Sequence, residues 1–280
     1  MINCCIGEDE AGMTIPPIPQ REDWRLWLGE RARELGAGTA FLTRIPLVRA
    51  APAGGSAVAT APLAQAVWAF PLVGVIVGVI GAVLYALAHR IGLPAWPAAT
   101  LAVAATLAAT GALHEDGLAD TADGFGGGQT REQKLDIMRD ARIGSYGVCA
   151  LILSILLRVS AVAGLADAGA VAGALIAAHA AARAMVAAVM FFVPPARRDG
   201  LSFAAGRPTA APTAAAAILG VLALIICLGF GRAIVALIAL AVAAVLMAQA
   251  SERQIGGQTG DVLGAVEQLS EIVVLLVALG

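Results

Sequence analysis

HEDGLADTADGFGGGQTREQKLDIMRDARIGSYG, His114 to Gly147, is the polar stretch around which an otherwise apolar chain is arranged. The chain is 59% hydrophobic and only 14% charged, yet Glu115, Asp116, Asp120 and Asp123 crowd into nine consecutive residues. A helix running from near Pro97 through Asp123 puts Asp116, Asp120 and Asp123 at i, i+4 and i+7, inside an arc of roughly 60°. Three carboxylates on one face repel one another, and the ordinary remedy at neutral pH is a hard divalent cation with oxygen ligands, such as Mg²⁺. Gly117, Ala119, Ala122 and Gly124 leave room against that face. A merely solvated acidic helix end needs neither this spacing nor the glycines.

On both sides of this stretch the chain is built for a bilayer. With a mean hydropathy of +0.84, its 280 residues contain seven apolar runs of about 20 residues, enough to cross a hydrocarbon core. They fall near 64–88, 95–113, 144–166, 168–193, 211–229, 232–250 and 262–280, the last interrupted by Glu267, Gln268 and Glu271. The fold class expected is therefore all-α, a polytopic membrane helical bundle of about seven spans, with residues 64–280 as its catalytic domain. Residues 1–20 read as a disordered leader, and their acidic Glu8, Asp9 and Glu10 are unlike a cleaved signal. Residues 21–63 read as an N-terminal segment on the membrane surface, in which Trp24, Trp27, Leu28 and Leu35 share a helical face that Arg31 interrupts. Cys149 and Cys227 sit in apolar runs as ordinary buried thiols, and the four cysteines show no metal spacing.

Charge orients the bundle. With the N-terminus inside, the inner segments hold 14 Lys and Arg while the outer ones hold only Arg90 and Arg232. This bias predicts an N-in chain in the cytoplasmic membrane, with the acidic cluster on the cytoplasmic side. The net charge of −2 and the lack of basic patches interleaved with aromatics give no sign of nucleic acid binding.

Two further groups face the same side. GGQTGDVLGA, 256–265, sets Asp261 at the start of the last span with Thr259 as a candidate N-cap and three glycines permitting close backbone approach. Lys134, Arg139 and Arg142 follow the carboxylates, and Arg197, Arg198 and Arg207 lie after the fourth span. Guanidinium groups beside a cation-bearing cluster suit a phosphate or pyrophosphate, and Arg142, next to Asp140 and a glycine turn, is the favoured ligand. Inside the bilayer, His179 and Arg183 stand at i, i+4, as do Glu267 and Glu271, so an Arg183–Glu271 pair is expected. His114 could serve as a ligand, a proton carrier or a helix-end hydrogen bonder.

HEDGLADTADGF with IMRDARIGSYG, RAMVAAVMFFVPPAR followed by Gly200 and Leu201, and GGQTGDVLGA followed by Glu271 together resemble the cobalamin synthase (adenosylcobinamide-GDP ribazoletransferase) family, from FLTRIPL at Phe41 to the C-terminus. PPAR and GLS depart from the family's more frequent forms. The resemblance implies a Mg²⁺-dependent transfer joining adenosylcobinamide-GDP to α-ribazole, or its 5′-phosphate, with release of GMP as the last step of cobalamin assembly. It further implies metal ligation by Asp116, Asp120, Asp123 and Asp261. Catalysis would fall to Asp120 and Asp123, the latter taking the hydroxyl proton. Substrate contacts would come from His114, Lys134, Asp140, Arg142, Arg183, Arg197 and Glu271. The bilayer is the standing partner, and self-association into a homo-oligomer stays open. A phospholipid-type CDP-alcohol phosphotransferase uses the same metal logic; a divalent-cation transporter needs ionisable groups at mid-bilayer and an internal repeat, and no repeat is evident.

Overall fold

The apolar runs become helices because helical backbone satisfies its own polar groups where water is absent. In a computed structural model, residues 23–45, 63–165 and 167–280 are described; the leader and part of the linker lie outside them. Helix α1 (Asp23–Leu42) precedes the short α2 (Leu63–Ala66), which passes through one 3₁₀ turn into α3 (Phe70–Arg90). There follow α4 (Ala95–Thr110), α5 (Leu113–Gly127), α6 (Arg131–Ile137), α7 (Ser145–Leu165), α8 (Ala168–Phe192), α9 (Gly200–Ala205), α10 (Ala210–Leu228), α11 (Phe230–Ile255) and α12 (Gly260–Leu279). No strand occurs among the described residues.

Six of these, counting α2–α3 as one, are long and apolar enough to cross a bilayer, and α4 with α5 makes a seventh candidate bent by 89°. That bend corrects the expected continuous helix from Pro97 to Asp123 and shortens the span expected at 95–113. Gly111 (φ 66°) ends α4 in the left-handed conformation that glycine adopts freely, and Ala112 follows it at φ 56°. An alanine there costs about 1–2 kcal/mol. It is held by its N–H bond to Leu107 O at 3.0 Å, while Arg44 N–H donates to Ala109 O at 2.7 Å. The starts of α2 and α12 and the end of α8 line one cavity with α5, whereas four residues separate the end of α3 from the start of α4. The bend sets the first turn of α5, Leu113 to Gly117, against the cavity.

Helices α8 and α12 are largely buried and form the centre of the bundle, while α10 and α11 expose most of their surface. Small residues let α3 press onto α8: a Cβ on Gly78 would lie 2.7 Å from Ile176 Cα. Cys149 is exposed and Cys227 half-buried, so neither is the fully buried thiol expected.

The outward face of α1 carries exposed Trp24, Trp27 and Leu28, suited to a membrane interface. Arg31, the residue that interrupted that face, pairs with buried Glu34 at 2.9 Å. Its guanidinium also stands about 6 Å from the rings of Trp27 and Trp68.

Candidate active site

The acidic face of α5 meets the first turn of α12 because both backbones are bare where they touch. A Cβ on Gly117 would lie 2.8 Å from Asp261 O, and one on Gly264 would lie 3.0 Å from His114 O. This brings Asp116 beside Asp261, more than 140 residues later in sequence. The carboxylate of Asp120 lies in the field of Asp116, then Asp261, then Asp123. Thr259 caps α12 as expected, accepting from Val262 N–H at 3.3 Å and donating to Asp261 Oδ2 at 3.1 Å.

Arg197 reaches this cluster through a backbone splice. Gln258 N–H donates to Pro194 O at 2.9 Å and Ala196 N–H donates to Gln258 O at 2.8 Å, joining the loop after α8 to the loop before α12. Arg131 of α6 fastens the same splice, donating to Ala196 O and, at 2.7 Å, to Ile255 O. Arg197 Nη2 then stands 3.8 Å from Asp261 Oδ2. A cavity of about 250 Å³ opens here. Its lining includes the polar Asp116, Asp261, Arg197 and His114 and the apolar Phe41, Leu42, Phe70, Val186 and Met190.

Other residues expected at the site are placed elsewhere. Asp123, buried, accepts from Gly144 N–H at 2.7 Å and from Gly147 N–H at 2.9 Å, so both of its oxygens secure the start of α7. Lys134 is also buried; its ammonium donates to Gly128 O at 2.6 Å and Phe125 O at 3.2 Å, closing the end of α5. Asp140 and Arg142 pair with each other in an exposed turn outside the cavity, at 2.6 Å. The guanidinium holds the Asp140 carboxyl down at about 2.

Arg183 and Glu271 do pair, at 3.3 Å, but they are sealed in the bundle rather than turned to the cavity. Arg183 also meets Glu267 at 2.7 Å, and Arg158 bridges Glu115 at 3.0 Å and Glu271 at 3.2 Å. His179 contacts Glu271, and His114 Nδ1 lies 3.5 Å from Glu267. Glu115 and Arg158 are members of this network to which the sequence reading assigns no role. Lying one residue before Asp116, Glu115 is turned 100° round the helix toward α7, a placement that a helical wheel would have suggested.

Two donor sets can be weighed for a cation. Among the described residues, His179, Glu267 and Glu271 bring three ligand atoms within 4.8 Å of one another, but Arg183 and Arg158 already neutralise those carboxylates. The aspartates stand further apart, as like charges do. Asp116 and Asp120 have no cationic partner among the described residues, and Asp261 has only the distant Arg197. An all-oxygen, uncompensated set at the mouth of a cavity fits a hard cation such as Mg²⁺; the buried set does not.

The profile of the cobalamin-5-phosphate synthase family matches residues 34–279. An adenosylcobinamide-GDP ribazoletransferase of Bradyrhizobium diazoefficiens is 54% identical over 245 residues, covering 88% of this chain and 92% of that protein. One from Mesorhizobium japonicum is 51% identical, covering 85% and 89%, and one from Azorhizobium caulinodans is 47% identical, covering 87% and 94%. No solved structure matches. With nearly its whole length matched, the chain belongs to the cobalamin-5-phosphate synthase family.

Proposed function

We propose that the chain transfers the adenosylcobinamide-phosphoryl group of adenosylcobinamide-GDP to α-ribazole, or its 5′-phosphate, releasing GMP. One structural observation supports this reading beyond family membership: Asp116, Asp261 and Arg197 border a single cavity, and the Asp120 carboxylate lies in the field of both aspartates. A ribose hydroxyl of the acceptor attacks the phosphorus on the cobinamide side of the diphosphate. The new P–O bond forms there as the P–O bond to GMP breaks. Mg²⁺ held by Asp116 and Asp261 would neutralise the diphosphate oxygens, the charge that otherwise blocks an anionic transfer. Arg197, beside Asp261, steadies the phosphoryl oxygens. Asp120, half-buried among the other carboxylates, is placed to take the hydroxyl proton, while Asp123 anchors α7 behind it. The excess of Lys and Arg in the segments at this end supports a cytoplasmic site in the bacterial inner membrane.

Purified protein in lipid vesicles, given adenosylcobinamide-GDP and α-ribazole, is expected to release GMP. Stripping with EDTA should abolish release and added Mg²⁺ should restore it. Turnover that survives chelation would remove the cation from the scheme, and no GMP under any condition would overturn the activity.

Gly117→Val provides a second check. Its branched side chain cannot fit against Asp261 O, so α5 must lift off α12, and GMP release should fall by about a hundredfold. Gly127→Val, where a Cβ would have ordinary contact at 3.5 Å from Ile137, should remain near wild type in the same assay.

A further inference from the structure

The cavity lining is of two unlike kinds, and the second is carbon. Phe70 and Met190 are 1% and 4% exposed. With Leu42 and Val186 they belong to one packed cluster, against which Phe41 also lies, so this wall is fixed before any ligand arrives. Ser202, a polar neighbour, already donates to Gln258 Oε1 at 2.6 Å. At about 250 Å³ the space lies below the usual range for drug-sized ligands and cannot admit a corrin macrocycle. Guanine is small enough, but its edge carries donors and acceptors that Phe, Val and Met leave unpaired. A dimethylated benzimidazole is flat, bicyclic and apolar along most of its edge, and aromatic walls suit it.

Resting on the activity proposed above, we propose that the apolar part of the lining, Phe41, Phe70, Val186 and Met190, seats the benzimidazole ring of α-ribazole. The ribose then points to the polar lining, where Asp116, Asp261 and Arg197 handle the diphosphate. The corrinoid stays outside, presenting only its phosphate arm. Met190 and Val186 thereby set which base is accepted.

Met190→Phe and Val186→Phe narrow this part of the cavity. Steady-state kinetics in vesicles should show KM for α-ribazole raised about tenfold, with KM for adenosylcobinamide-GDP within about twofold. The nucleoside of unsubstituted benzimidazole, lacking two methyl groups, should suffer less, shifting the preference between the two bases by about fivefold or more. Should either variant fail to insert, the milder Val186→Ile adds a single methyl group to the same wall and should raise KM for α-ribazole in the same direction, leaving KM for adenosylcobinamide-GDP within about twofold. The assignment is overturned if KM for adenosylcobinamide-GDP rises instead, if both nucleosides are slowed equally, or if neither KM moves. Wild-type protein that releases no GMP with either nucleoside overturns the activity itself, a result distinct from these.

Discussion

Asp120→Asn is expected to reduce GMP release by about a thousandfold, the scale seen when one preorganised charge-stabilising group is removed, while leaving the protein folded and inserted. The substitution keeps shape and removes charge. Because Asp120 sits in the field of Asp116, Asp261 and Asp123, taking that charge away relieves repulsion, so thermal stability in detergent should hold or rise slightly. Loss of activity with retained stability is the signature of a group serving the reaction. If turnover stays near wild type, Asp120 is neither ligand nor proton acceptor. If activity and stability fall together, its role is structural.

The opposite pattern is expected in the bundle centre. Arg183, fully buried, compensates Glu267 at 2.7 Å and Glu271 at 3.3 Å. Arg183→Met strips one partner from a desolvated pair, a change that costs about 3–5 kcal/mol because the remaining charge has no water to turn to. Thermal unfolding in detergent should show a large drop. Adding Glu267→Gln to Arg183→Met should recover much of it, since removing both partners leaves fewer uncompensated charges. Arg183→Lys should recover less, because a point-like ammonium cannot serve two carboxylates as the planar fork does. An unchanged melting temperature for Arg183→Met would show that the network contributes nothing to holding the bundle together.

The two expected results mirror what could be read before any coordinates. The apolar runs declared the helices almost to their ends, since bilayer thickness dictates length and hydrocarbon excludes broken backbone. The Gly111–Ala112 bend escaped because composition on both sides of it favours helix; the glycine end of α4 and a tertiary partner, Arg44 donating to Ala109 O at 2.7 Å, together hold the left-handed conformation. The i, i+4, i+7 spacing of Asp116, Asp120 and Asp123 survived the bend because all three residues lie beyond it, on α5. Lys134 and Arg142 looked like phosphate ligands because charge at a loop is ambiguous by sequence: one closes a helix end and the other closes a turn on Asp140. Arg183 and Glu271 were paired correctly from depth and sign. What no periodicity could supply was that the pair is walled off from the cavity.

The splice between Pro194 and Gln258 ties the rim of the cavity to the onset of the final helix, and that has a temporal meaning. During synthesis, every earlier helix can be in place while Arg197 still lacks both its tether and its acidic counterpart, Asp261. A ribosome-bound chain short of its last two dozen residues would carry the HEDGLADTADGF acids with no opposing edge to complete a phosphate site. Competence thus arrives only once Gln258 and Asp261 are in place, so copies that stop before them would be inert rather than partly active.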